Sequence, residues 1–122
     1  MLTKELIDYI GASTSFVVGT DLFWGIFPND DRSGVLISDL PGAHNESGMG
    51  GYQVLINSRY QDYNTALTKI KIVYDLFAYS NGFALATKTV FNSTPVSTPG
   101  FLGRDDTGRV LFGTIFNIYT EV

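Results

Sequence analysis

The change of hydrophobic period between residues 52 and 77 constrains this chain more than any other feature. Tyr52, Val54 and Ile56 alternate with Gln53, Leu55 and Asn57, the two-residue period of a strand with one covered face. Beyond Arg59 the period lengthens. Ala66, Ile70, Val73 and Phe77 fall on one helical face, widened by Leu67 and Tyr74, with Asn64, Thr68, Lys71 and Asp75 opposite. An apolar face that broad has to be buried, and the strand before it is the nearest cover. The remaining segments are expected to complete that sheet or decorate its rim.

Ahead of this unit, Thr3 sits where an N-cap belongs and Leu6, Ile7 and Ile10 share one side, predicting a first helix over Thr3–Ile10. Gly11 is its expected stop, and Leu2 and Leu6 could staple its start. Ser13–Gly19 reads as a connector with a marginal strand through Phe16–Val18. Asp21–Phe27 is strand-like and aromatic, closed by Pro28, and Val35–Ile37 reads as a buried strand. The polar link between them, Asn29–Gly34, fits a hairpin with an enlarged loop. Leu40-Pro41-Gly42 breaks the pattern, and Ala43–Gly51 reads as a loop.

After the central helix, Ser80-Asn81-Gly82 is a stop signal, and Phe83–Val90 carries a modest strand signal. Asn92–Gly100 is extended, polar and too rich in proline for the interior of a central strand. Val110–Val122 then alternates, with Val110, Phe112, Phe116 and Ile118 on one face and Leu111, Ile115 and Tyr119 on the other. With both faces apolar, this strand is expected inside the sheet or against a neighbouring subunit.

At 122 residues, with 44% hydrophobic side chains, the chain is expected to form one domain with a core of its own. The absence of cysteine excludes disulfides and zinc–thiolate centres. The single histidine, His44, excludes a site needing two imidazoles from one chain. A net charge of −4 gives no basic footprint for nucleic acid. No apolar run reaches the length of a membrane span, and the N-terminus lacks a charged-then-apolar signal pattern, so assembly in a cytoplasm is expected.

Candidate chemistry is sparse. Gly48-Met49-Gly50-Gly51 has the composition of a phosphate loop, but it precedes a strand, whereas a phosphate loop follows one and opens a helix. Asp30-Asp31 and Asp105-Asp106 are paired carboxylates that could bind a hard cation, yet adjacent aspartates in turns hydrogen-bond their own backbone. Asp105-Asp106-Thr107-Gly108 reads as such a turn. The placement of aromatics is more telling. Phe16, Phe23, Trp24, Phe27, Phe83, Phe91 and Phe101 all lie outside the two helices, as core residues or as contacts between copies of the chain.

The run Pro99-Gly100-Phe101-Leu102-Gly103-Arg104-Asp105-Asp106-Thr107-Gly108-Arg109, followed by the strand ending Phe116-Asn117-Ile118-Tyr119, resembles the ending of tail-terminator proteins of long-tailed bacteriophages, often catalogued as minor capsid proteins. Asp39-Leu40-Pro41-Gly42, Tyr52-Gln53-Val54-Leu55-Ile56 closing at Arg59, and Tyr63-Asn64-Thr65-Ala66 match the same family in the same order. The resemblance covers residues 35–122 and a compatible first helix.

That resemblance implies an α+β fold over residues 1–122, a single small domain. Its antiparallel or mixed sheet would have about four to five strands, with two helices packed on one face. It implies a hexameric ring that caps the head-proximal end of the tail tube, ends tube polymerisation and forms the head–tail joining surface in the virion. The partners implied are other copies of the chain, the tail tube protein and a head connector or neck protein. DNA would pass through unbound, and no membrane, cofactor, metal or catalytic residue is called for. The expected subunit or tube interface is Phe101, Arg104, Asp105, Asp106 and Arg109. An acidic lumen would draw on Asp30, Asp31 and Glu46, with Asp21, Asp105 and Asp106 as further candidates. The alternatives are another neck component, a head-closure or tail-completion protein, or a small enzyme acting through carboxylates.

Overall fold

The computed structural model describes residues 2–25, 33–40, 49–78, 80, 82–86 and 89–121. The predicted change of period is its centre. Strand β3 (Met49–Tyr60) runs into helix α2 (Tyr63–Phe77), whose N-cap Asp62 accepts a hydrogen bond from the Thr65 amide at 3.0 Å. Ala66, Ile70, Val73 and Phe77 are the helix's fully buried face, as their spacing requires. Two buried serine hydroxyls fasten α2 to the sheet: Ser58 donates to the Ala66 carbonyl at 2.9 Å, and Ser93 donates to the Phe77 carbonyl. The second satisfies a carbonyl left over at the helix end. The chain departs in an extended conformation at Ala78, ahead of the expected stop at residues 80–82.

Helix α1 (Leu2–Ser13) starts earlier and runs past Gly11. Gly11 is therefore no terminator; a Cβ there would come within 3.1 Å of Val18 Cγ2, so it lets the following loop close on the helix. The pairing of Leu2 with Leu6 lies outside the described side chains. Leu6, Ile7 and Ile10 are fully buried.

One mixed sheet takes the order β1–β2–β3–β7–β5–β4, with β6 also paired to β7. The strands are β1 (Leu22–Trp24), β2 (Gly34–Leu40), β3, β4 (Phe83–Ala84), β5 (Thr89–Pro95), β6 (Gly100–Arg104) and β7 (Val110–Glu121). Seven strands, rather than four to five, form it. The extra ones come from splitting Phe83–Val90 between β4 and β5, from pairing of Asn92–Pro95, and from β6. Pro95 is tolerated because it ends β5, where a missing N–H interrupts no ladder interior.

The expected hairpin between the first two strands is not formed: β1 and β2 are parallel, Leu22 opposite Val35 and Trp24 opposite Ile37. The chain re-enters beside the start of β1, where a Cβ on Gly34 would lie 2.8 Å from the Asp21 carbonyl oxygen; only glycine lets the backbones approach so closely. The loop expected up to Gly51 also gives way, since Met49, Gly50 and Gly51 already pair with Glu121, Thr120 and Tyr119.

β7 sits inside the sheet, antiparallel to β3 along twelve paired positions and to β5 and β6 on its other side. Val110, Phe112, Phe116 and Ile118 lie on the helix side of the sheet, in a single core with Leu22, Val35, Ile37, Val54 and Ile56. Leu111, Ile115 and Tyr119, on the opposite face, are half-buried. Both helices thus pack on one face of the sheet, and the turn between β6 and β7 curls over the other.

Candidate functional site

The β6–β7 turn is built around one carboxylate. The Asp105 amide donates to the Arg109 carbonyl at 2.9 Å and the Gly108 amide to the Asp105 carbonyl at 3.0 Å. Gly108 adopts φ +83°, the left-handed glycine of a three-residue hairpin loop. Asp105 Oδ1 accepts from the Thr107 amide (3.0 Å), the Thr107 hydroxyl (2.8 Å) and the Arg109 amide (2.9 Å), while Arg104 Nη1 donates to the Gly108 carbonyl at 2.9 Å. Desolvation pushes the Asp105 carboxyl upward. The Thr107 hydroxyl, the Arg109 and Thr107 amides and the Arg109 charge outweigh it, so its pKa lies below the ordinary 3.8.

The other carboxylate oxygen reaches the sheet: Asp105 Oδ2 lies 3.9 Å from Arg59 Nε. Arg59 and Arg109 are both buried. Beside them, on the face away from the helices, a cavity of about 250 Å³ is lined by Leu36, Asn57, Arg59, Leu102, Asp105 and Leu111. A smaller one of about 80 Å³ lies between Arg59, Asp105, Asp106 and Thr107. Leu102 closes over Gly113, where a Cβ would meet Leu102 Cδ1 at 2.7 Å and Asn57 Oδ1 at 2.9 Å.

The expected contact residues therefore divide. Arg109 is buried beside Asp105, and Asp105 holds the loop to Arg59 of β3, internal roles that the sequence reading did not assign them. Asp106 and Arg104 stay exposed, and Phe101 is 51% exposed. Phe101 nonetheless touches the helix side, with ring centroids 5.7 Å from Tyr63 and 5.8 Å from Phe112. Of the other displaced aromatics, Phe16 and Phe23 belong to the interior, Phe83 stacks on Tyr9 at 4.3 Å, and Trp24 and Phe91 remain exposed. Asp30, Asp31, Glu46, His44 and Phe27 lie outside the described residues.

Arg59, Leu102, Asn57 and Tyr63 escaped notice as site residues. For Arg59 a signal existed: it continues the Leu55, Asn57 alternation, so an arginine was due on a sheet face. Among the described residues no group of three histidine or acidic side chains is placed to hold a metal ion, and no helix is long and apolar enough to cross a membrane.

The site is thus a turn fixed by its own aspartate beside a strand with exposed apolar residues. The profile of the bacteriophage tail terminator protein family matches residues 9–122. The chain belongs to that family. Members are structural proteins of phage tails, and the chain is accordingly a virion protein of the tail or neck. The tail-terminator fold is shared with a chain from the virion of a native gene transfer agent particle, at a TM-score of 0.56 and 13% identity, covering 85% of this chain and 81% of that one. No curated protein sequence matches.

Proposed function

We propose that this protein caps the head-proximal end of the phage tail tube as a hexameric ring, ends tube polymerisation and offers the head connector its docking surface. The whole chain acts as one such domain, assembled in the host cytoplasm, and the ring works without catalysis. The observation that carries the reading is the family match over residues 9–122; the likeness in fold to a virion chain supports it. The exposed Phe101, Leu102 and Arg104 offer contact area to a neighbouring copy or to the tube. DNA passes through the ring unbound, because copies of net charge −4 repel its phosphates. The test is to polymerise the phage's tube protein with and without this chain. Capping predicts tubes of limited length carrying a ring at one end; unchanged length and no bound ring would count against it.

A further inference from the structure

Above Gly113, on the helix-free face of the sheet, two costs meet in one place. Asn57 Oδ1 is buried and accepts no hydrogen bond among the described residues. It borders, at 2.9 Å, the space that a Cβ on Gly113 would fill, and Leu102 Cδ1 closes the same space at 2.7 Å. A buried acceptor without a donor gives up its hydration and gains nothing in return. Leu102 is itself 61% exposed, more than any other large apolar side chain among the described residues. The free protein thus keeps a polar atom dry and an apolar side chain wet. A group that lifted Leu102, donated to Asn57 and covered the leucine would remove both costs together.

The adjoining cavity specifies that group. Its volume is about 250 Å³, with Leu36, Leu102 and Leu111 as its apolar wall; a cavity of about 150 Å³ already holds a benzene ring. At its polar end Arg59 Nε and Asp105 Oδ2 stand 3.9 Å apart, opposite charges that call for no ion from outside. A carboxylate would face Asp105, and an ammonium would face Arg59. Serine and threonine are too small to fill the space, and phenylalanine would leave Asn57 without a donor. A ring carrying a neutral donor meets every condition.

We propose that this cavity receives a tyrosine or tryptophan side chain of a partner protein, its O–H or N–H donated to Asn57 Oδ1 and its ring laid among Leu36, Leu102 and Leu111. Side chains of this kind are common anchors at protein interfaces. The proposal does not depend on tube capping, and its test uses the isolated chain.

The probes are 4-methylphenol and toluene, the side chains of tyrosine and phenylalanine, titrated into the folded protein while backbone amide shifts are followed by NMR. 4-Methylphenol should bind with a Kd on the order of 1 mM. It should shift Asn57, Leu102, Leu111 and Gly113 first, and bind about fivefold more tightly than toluene. Asn57→Leu removes the acceptor and should reverse that order. Gly113→Ala puts a methyl group between Leu102 and Asn57; it should also cancel the preference, and it decides the matter if Asn57→Leu fails to fold. N-acetyl-tyrosinamide should shift the same amides as 4-methylphenol. No shifts by about 20 mM, shifts centred elsewhere, or an unchanged order of affinity in the variants would overturn the site. Binding of 4-methylphenol with N-acetyl-tyrosinamide shut out would overturn a protein side chain as the occupant.

Discussion

Arg59 Nε and Asp105 Oδ2, 3.9 Å apart, join the middle of the sheet to the turn that leads into its final strand. Asp105 also accepts three hydrogen bonds within the turn, so a single side chain sets the loop's shape and ties it down. Because the folded protein lowers its pKa, the stability it contributes is fully present above the ordinary value of 3.8 and is lost as pH falls through the folded value. Asp105→Asn should lower the urea midpoint at neutral pH and flatten the dependence of stability on pH below about 4. Identical acid profiles for the two proteins would show that the turn holds without its carboxylate.

Ile70 is fully buried between α2 and the sheet, whereas Lys71 is exposed. Ile70→Asp should abolish folding, costing more than about 4 kcal/mol by burying an unpaired carboxylate. Lys71→Asp should stay within about 1 kcal/mol of the parent. Denaturation curves of both variants decide it.

Among the described residues the buried Tyr60 hydroxyl has no hydrogen-bond partner, and burial, then the nearby Asp21 charge, push its pKa up to about 12. The unfolded chain loses this proton near 10.0, so folding weakens as pH rises from there toward the folded value. Tyr60→Phe should change neutral-pH stability by less than about 1 kcal/mol, since it removes an unsatisfied group. It should also reduce the alkaline loss, as thermal melts between neutral pH and pH ~11 would show.

Two glycines should respond differently to alanine. Gly82 adopts φ +119° and a Cβ there would lie 2.6 Å from the Val90 carbonyl oxygen, so Gly82→Ala should cost about 1–3 kcal/mol or more. At Gly113 the obstructing atoms are side-chain tips, one of them the exposed Leu102, which can swing aside; that variant should lose less than about 1 kcal/mol. Equal losses would mean that Leu102 is pinned.

Purified protein should show no measurable affinity for duplex DNA at about 50 mM salt, where electrostatic binding is strong. Tight, salt-dependent binding in a mobility-shift titration would sink the conduit reading.

What the sequence made legible is what periodicity reports. The buried face of α2, the alternation of β3 and the two apolar faces of β7 all follow from local spacing, and the turn at Asp105–Gly108 follows from its residue types. Partnership is not local. Nothing between Trp24 and Gly34 distinguishes a hairpin from a parallel return; the close approach at Gly34 decides it. β6 was missed because Gly100-Phe101-Leu102-Gly103 reads as a loop until β7 lies beside it. The site was half visible for the same reason: Asp105 and Arg109 stood out in the turn, but Arg59 is 46 residues from Asp105 in sequence and meets it only across the finished sheet.

β7 comes last among the described strands yet lies between β3 on one side and β5 and β6 on the other. During synthesis, β1 to β3 and the β4–β5 hairpin have no strand pairing between them, and β6 has no described strand partner, until β7 leaves the ribosome. Pairings this distant along the chain also form slowly. A nascent copy whose β7 is still inside the ribosome therefore has neither a finished sheet nor the turn that β7 completes, and lacks the surface that they form.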